Sequence, residues 1–172
     1  MLRVSLPFEL KTALQDDQEF ILRQRKVIPL PAPVSVQTIL ESFLKDGNHS
    51  PDMIEGMESY FNSIVGAKLL YKFERPLYAD YLSPFRTVDS DAQQYPERAK
   101  KPSEMFGFTQ LVRFIYHLDE VLGDTDIDKD TLKEHISNVQ LLAEYLTDNV
   151  TKYHHAEDYC ETSPEYHRRA QV

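Results

Sequence analysis

The chain has 172 residues, of which 41% are hydrophobic and 27% are charged, a composition typical of a globular domain. Its formal net charge of −9 argues against wrapping a nucleic-acid backbone, which needs clustered Lys and Arg. Its single cysteine, Cys160, excludes an intrachain disulfide, and no apolar run approaches the roughly 18–20 residues of a membrane span. We expect one domain over residues 1–172.

The first helix is predicted to begin near Pro7, because Leu6, Leu10 and Leu14 recur every four residues. The run Asp16-Asp17-Gln18-Glu19 interrupts this apolar pattern. We therefore expect that run to face water.

An extended stretch follows at Val27–Pro33, where three prolines at alternate positions forbid a helix. At most a short edge strand or hairpin is expected near residues 26–30. Two helices are predicted next, the first capped by Ser35 and the second started by Ser50-Pro51. Their apolar faces are Val36, Ile39, Leu40, Phe43 and Leu44, then Ile54, Met57, Phe61, Ile64, Val65 and Leu69.

In the second half of the chain, the sequence predicts a helix break, a loop and two more helices. Pro76 marks the break, and the stretch from about 83 to 101 lacks apolar periodicity, so a mobile loop is expected there. Ser103 should cap the next helix, which ends near Gly123, and the last helix should begin near Asp128–Asp130. About five substantial helices with short connections predict a mainly α fold of crossing helix hairpins.

The acidic run Asp124–Asp130 is similar to the start of a calcium-binding loop. Lys129 occupies the sixth position, where the turn needs Gly, and His135 the twelfth, where a bidentate Glu belongs. We therefore interpret the run as an acidic helix N-terminus, which the helix macrodipole favours.

Metal-ligand residue types gather near the end of the chain, at His154, His155, Glu157, Asp158 and Cys160. Adjacent histidines on a helix point about 100° apart, so they rarely share one metal ion. The chain has no Gly-rich phosphate loop, no Gly-x-Ser-x-Gly and no dinucleotide fingerprint. We expect no metal, no cofactor and no enzymatic activity, and a small enzyme using Cys160 stays the weaker alternative.

Aromatic side chains crowd the region around Tyr71, and tyrosines suit a half-exposed binding surface better than phenylalanines do. Tyr71 and Tyr116 are therefore candidates for an interface. Glu74 and Arg75, close to Tyr71 in the sequence, are expected to form structural ion pairs.

The stretch Leu69–Tyr78 reads Leu-Leu-Tyr-Lys-Phe-Glu-Arg-Pro-Leu-Tyr. It resembles the Leu-Leu-Tyr-x-x-Glu-Arg-Pro-x-Tyr core of one family, the MRG (mortality-factor-related) domain. Three further stretches agree with that family in the right order, and the four together span almost the whole chain. They are the opening Leu6-Pro7, Leu10, Leu14, Asp16-Asp17 and Arg23-Gln24, then Phe106-Gly107 with Leu111-Val112-Arg113, and the closing Pro164-Glu165-Tyr166-His167-Arg168.

The resemblance implies a mainly α-helical, non-enzymatic adaptor located in the nucleus. Members of the family join histone acetyltransferase and histone deacetylase complexes, and they regulate chromatin and transcription by binding short segments of partner subunits. Some of those segments carry a Phe-x-Leu-Pro motif. Many members also have an N-terminal chromodomain, so this chain would be the C-terminal portion of such a protein. A module that binds histones or nucleic acid directly is the alternative.

The resemblance also implies a hydrophobic partner pocket. Gln15 and Gln18 stand where animal members have Val and Trp, and Tyr116 and His117 where they have Val and Arg. Because that Trp is a typical hot-spot residue, the pocket should be shallower and more polar here. Carried over by position, the partner-binding residues are Leu6, Leu10, Leu14, Gln15, Gln18, Tyr71, Leu111, Tyr116 and His117.

The physics of docking favours the same region. A partner segment needs apolar anchors held in a groove with a polar rim. Asp16, Asp17 and Glu19 are expected to supply an acidic rim, which predicts a basic partner segment.

Overall fold

The computed structural model describes residues 5–47, 49–86, 101–123 and 128–170. This part of the chain confirms the mainly α fold, with a short strand pair that begins at the predicted place. The elements in chain order are α1 Phe8–Gln18, β1 Lys26–Val27, α2 Val36–Asp46, α3 Pro51–Ile64, α4 Arg75–Arg86, α5 Pro102–Met105, α6 Phe108–Gly123, α7 Lys129–Asp148, α8 Val150–Tyr153, β2 Cys160–Glu161 and α9 Pro164–Ala170.

Two helices end in widened, π-helical turns. The first of these turns, Glu19–Arg23, continues α1, and the second, Val65–Leu69, continues α3. A 3₁₀ turn at Lys72–Glu74 then leads into α4. Turns of the π type are frequent at functional sites, and the second one here places the Leu-Leu-Tyr stretch beside α6.

The predicted helix starts are largely correct. The Ser35 hydroxyl accepts a hydrogen bond from the N–H of Thr38 (3.2 Å), which confirms the cap of α2. Pro51 lies in the first turn of α3, and α7 begins at Lys129 directly after Asp128. The run 124–127 of the calcium hypothesis and residues 87–100 of the expected loop lie outside the described residues. Helix α4 continues through Arg86, so residues 83–86 are helical rather than loop.

The single helix predicted from Ser103 is wrong, because two helices occupy that stretch. Phe106 is extended, with φ of −88° and ψ of 162°, and separates α5 from α6. Its carbonyl accepts a hydrogen bond from the N–H of Val36 (2.8 Å), and the Met105 carbonyl accepts from the N–H of Ala32 (2.8 Å). The chain around the proline-rich segment therefore forms backbone hydrogen bonds with the residues that separate α5 from α6. Ser103 lies inside α5 and caps no long helix.

Helix α6 lies at the centre of the main hydrophobic core. Its residues Leu111, Val112, Phe114 and Ile115 are all buried, so the helix is enclosed on more than one side. It packs against α1, α2, α7 and the turn at Val65–Leu69. No helix in the described residues is long and apolar enough to cross a membrane.

The C-terminal residues fold back onto the first half of the chain, which the sequence did not predict. Strands β1 and β2 pair antiparallel, with Val27 opposite Cys160. In α9, the Tyr166 hydroxyl donates to the carbonyl of Phe73 (2.5 Å). A second, smaller hydrophobic cluster forms there, comprising Ile21, Val27, Phe73, Tyr159 and Ala170.

Candidate functional site

A pocket of about 740 Å³ lies between α1, α6 and the segment that follows α3. We call it the α1–α6 pocket. This volume falls within the range of roughly 300–1,000 Å³ that is usual for binding pockets. Its lining residues are Leu6, Lys11, Leu14, Gln15, Gln18, Lys68, Leu69, Leu70, Tyr71, Arg113, Tyr116 and His117.

Most of the predicted partner-binding residues meet at this pocket. Leu10 and Leu111 do not line it, because they are 0% and 1% exposed in the main core. Tyr116 is 57% exposed, in contrast to the fully buried Phe114 on the same helix. The predicted residues that do line it are Leu6, Leu14, Gln15, Gln18, Tyr71, Tyr116 and His117. Their contact with a partner stays a prediction.

Tyr71 is held in the pocket wall through its backbone and its ring. Its N–H donates to Glu74 Oε1 (2.9 Å), and its carbonyl accepts from the N–H of Glu74 (2.9 Å). The guanidinium carbon of Arg113 lies 4.2 Å from the centroid of its ring, a cation–π distance. Burial raises the pKa of the Tyr71 hydroxyl. The phenol is therefore a neutral, positioned group at neutral pH.

Behind the pocket, Arg113 joins two carboxylates in what we call the buried ion cluster, Asp17, Glu74 and Arg113. Its Nη1 donates to Glu74 Oε1 (2.6 Å) and to the carbonyl of Leu69 (3.0 Å). Its Nε and Nη2 both donate to Oδ2 of Asp17, the former at 3.1 Å. The three residues are at most 4% exposed. The cluster thus connects α1, α6 and the 3₁₀ turn that leads into α4.

Further donors complete the cluster. The Tyr159 hydroxyl donates to Oδ1 of Asp17, and the Gln110 side chain donates to Oε2 of Glu74 (3.1 Å). Every buried side-chain nitrogen or oxygen among the described residues has a hydrogen-bond partner. Such complete satisfaction is what allows charged groups to stay buried.

The electrostatics of the cluster follow from burial and pairing. Burial disfavours the charged guanidinium, but the Glu74 and Asp17 carboxylates outweigh it and raise the pKa of Arg113 above its ordinary value. Burial raises the pKa of Glu74, and the Arg113 charge opposes that rise. Burial and the Asp17 carboxylate raise the pKa of the Tyr159 hydroxyl. Arg113 therefore stays charged and Tyr159 stays a hydrogen-bond donor.

The expectation that Asp17 faces water is wrong, since it is 0% exposed. Asp17 lies at i+7 from Leu10 and i+3 from Leu14, so it belongs to the apolar stripe of α1. Arg113 likewise stands in the apolar run from Leu111 to Ile115. A charged residue on an apolar stripe in two separate helices was the available signal for a buried ion pair.

The structural ion pair predicted for Glu74 is confirmed, whereas Arg75 makes a hydrogen bond to a backbone carbonyl. Glu74 pairs with Arg113 in the buried ion cluster. Arg75 instead donates through Nη1 to the carbonyl of Gly66 (2.6 Å). That bond ties the start of α4 to the π-helical turn after α3.

The expected acidic rim is also wrong. Asp17 is buried, and neither Asp16 nor Glu19 lines the α1–α6 pocket. Instead, Lys11 and Lys68 line it, and both are exposed. The charged rim residues are therefore basic.

A family model described as MRG matches residues 1–161 of the chain. The chain belongs to the MRG family. The closing stretch 164–168, one of the four on which the resemblance rests, lies beyond the matched residues. It nevertheless forms most of α9, which packs against α4.

Curated relatives of this MRG chain agree with that assignment. A Drosophila melanogaster protein named NuA4 complex subunit EAF3 homolog is 31% identical across 98% of the chain and 40% of the relative. The human mortality factor 4-like proteins 1 and 2 are each 32% identical across 98% of the chain, and across 46% and 58% of their own lengths. The chain thus spans about half the length of these relatives.

The two adjacent histidines, His154 and His155, make contacts within the fold. The ring of His154 lies 5.7 Å from that of Phe108 and 6.1 Å from that of Tyr159. Nε2 of His155 lies 2.9 Å from the carbonyl of Lys152. Within the described ranges, no three His, Cys, Asp or Glu side chains are placed to share a metal ion. Cys160 is exposed on β2.

Proposed function

We propose that the α1–α6 pocket binds short segments of partner subunits, and that this domain is a non-enzymatic adaptor in chromatin complexes. The observation that carries the proposal is that Leu6 and Leu14, near the start of the chain, line one pocket with the distant Tyr71. Apolar anchors in a groove are the basis of peptide docking.

The character of the lining supports binding rather than catalysis. Among the described residues that line the pocket there is no Asp, Glu, Ser, Thr or Cys side chain. A nucleophile paired with a base, or a pair of carboxylates, would be needed for the common hydrolytic mechanisms. A partly buried tyrosine, Tyr71, held by a buried ion cluster instead suits a fixed contact surface.

The name of one relative supports the complex that we propose. The Drosophila relative is named as a homolog of the NuA4 complex subunit EAF3. By that likeness, we propose that this chain acts in the nucleus and joins histone acetyltransferase and histone deacetylase complexes, which regulate transcription. Phe-x-Leu-Pro segments are the proposed ligands, with the Phe and Leu side chains as anchors.

The test is an affinity pull-down from nuclear extract, with captured proteins identified by mass spectrometry. The bait is the wild-type chain, the Tyr71→Ala variant, or the Leu141→Ala variant as a matched control. Leu141 is 44% exposed on α7 and does not line the pocket. The control therefore removes an exposed apolar side chain that lies outside the pocket.

We expect the wild type and the control to capture histone acetyltransferase or deacetylase subunits, and Tyr71→Ala to lose them. Retention of the same subunits by Tyr71→Ala would move the interface away from this pocket. Capture of no chromatin subunit by the wild type would contradict the adaptor function itself.

A further inference from the structure

Two positively charged side chains stand at the α1–α6 pocket on different walls. Lys11 belongs to α1, and Lys68 belongs to the π-helical turn Val65–Leu69. In the part of the chain that the structure describes, neither ammonium group has an ion-pair partner. Both charges are therefore available to a bound ligand.

The acidic residues of the first helix do not neutralise these lysines. Asp17 is fully buried and accepts from Arg113 and Tyr159. Glu19 pairs with Arg23 at 3.2 Å, one turn further along the chain. Glu9 and Asp16, the carboxylates nearest to Lys11 in the sequence, do not line the pocket.

The third cation at the pocket, Arg113, is buried, whereas Lys11 and Lys68 are exposed. Its guanidinium donates to Glu74, Leu69 and Asp17, and the residue is 4% exposed. Its carboxylate partners are equally buried, so the charge of Arg113 is neutralised within the cluster. The positive charge that a ligand meets comes from the two lysines.

We propose that the segment bound in the α1–α6 pocket carries Asp or Glu side chains beside its apolar anchors, placed to pair with Lys11 and Lys68. This inference rests on the proposed function, because it specifies the ligand of the same pocket. The net charge of −9 opposes an acidic segment at long range. Salt screens that repulsion beyond about 8 Å at physiological ionic strength, so local pairs decide the preference.

The test uses three synthetic peptides that share one Phe-x-Leu-Pro core and differ only in their flanks. The flanks are Glu, Gln or Lys at the same positions, and affinity is measured by fluorescence anisotropy at low and high salt. The proteins are the wild type, the double variant Lys11→Gln/Lys68→Gln, and the control Lys45→Gln/Lys133→Gln. The control lysines are exposed outside the pocket, and both double variants change the net charge equally.

With the wild type, we expect the Glu peptide to bind about tenfold more tightly than the Gln peptide, roughly threefold for each pair. The Lys peptide should bind most weakly. The preference should disappear in Lys11→Gln/Lys68→Gln, persist in the control, and shrink at high salt.

Two outcomes would overturn the inference in distinguishable ways. Equal affinity of the wild type for all three peptides, or a preference for Lys flanks, would refute the acidic preference and leave peptide docking intact. Failure of every peptide to bind the wild type would refute both this inference and Phe-x-Leu-Pro docking.

Discussion

The guanidinium carbon of Arg113 lies 4.2 Å from the centroid of the Tyr71 ring, so a pocket residue rests directly on the buried ion cluster. The same guanidinium donates to Glu74, whose Oε1 also accepts from the Tyr71 N–H. Tyr71 in the pocket wall is therefore joined to the buried ion cluster by a hydrogen bond and a cation–π contact. Asp17 of helix α1 pairs with the same guanidinium, so Arg113 links Tyr71 to α1.

Replacing Arg113 should destabilise the fold strongly. Arg113→Met leaves Asp17 and Glu74 buried without their cation, and uncompensated buried charges of this kind cost about 3–5 kcal/mol. Urea unfolding followed by circular dichroism measures the loss. Arg168→Met, which changes an exposed arginine on α9, is the matched control and should unfold like the wild type. A midpoint for Arg113→Met equal to that of the control would refute the structural role of the cluster.

Gly107 is required by a close approach between segments. A Cβ at this position would lie 2.8 Å from the Cβ of Ala32 and 3.0 Å from the carbonyl oxygen of Val34. Because the second contact is with backbone, Gly107→Ala should lower the free energy of unfolding by about 1–3 kcal/mol.

The matched substitution is Gly56→Ala on α3, where no described residue beyond the helix's own neighbouring backbone lies within 4 Å of the added Cβ. It should raise the free energy of unfolding by about 0.5–1 kcal/mol, because alanine favours the helix over glycine. Thermal unfolding of both variants tests the pair. The prediction fails if the two substitutions shift the melting temperature in the same direction.

Stability should fall on acidification through His154. Burial lowers the pKa of His154, partly opposed by the charges of Asp17 and Asp16. An unfolded chain takes up this proton near pH 6.5, whereas the folded chain resists it to lower pH. The unfolded state therefore binds more protons in that window, so stability rises with pH there and is lost as the pH falls from about 7.

The measurement is the free energy of unfolding from about pH 7.5 to 5.5 for the wild type, His154→Gln and the control His135→Gln. His135 is exposed on α7. We expect a smaller decrease across this range for His154→Gln than for the other two proteins. Three parallel curves would show that His154 does not contribute.

Local patterns in the sequence predicted most of the helices. The Ser35 cap, the first-turn Pro51 and the acidic start of α7 after Asp128 are signals that act within a few residues. The resemblance of the Leu-Leu-Tyr stretch and the other motifs to the MRG family also predicted seven of the twelve residues that line the pocket. These features needed no knowledge of distant contacts.

The features that local patterns missed depend on distant partners. The break at Phe106 forms because the chain there pairs with Ala32 and Val36. Asp17 is buried because Arg113 lies beside it, 96 residues further along the chain. The basic rim arises because the turn after α3 brings Lys68 to the pocket that Lys11 lines. Each is a tertiary contact that a helical period does not encode.

If the α1–α6 pocket is the docking site, Tyr71 should anchor the ligand there. Isothermal titration calorimetry of a Phe-x-Leu-Pro peptide into the wild type, Tyr71→Ala and Leu141→Ala tests it most directly, with the melting temperature of each protein as the folding control. We expect Tyr71→Ala to lose about 2 kcal/mol of binding free energy, roughly 30-fold in Kd, while staying folded. Leu141→Ala should bind like the wild type. Equal affinity of the wild type and a folded Tyr71→Ala would show that Tyr71 does not anchor the ligand and that the docking site lies elsewhere.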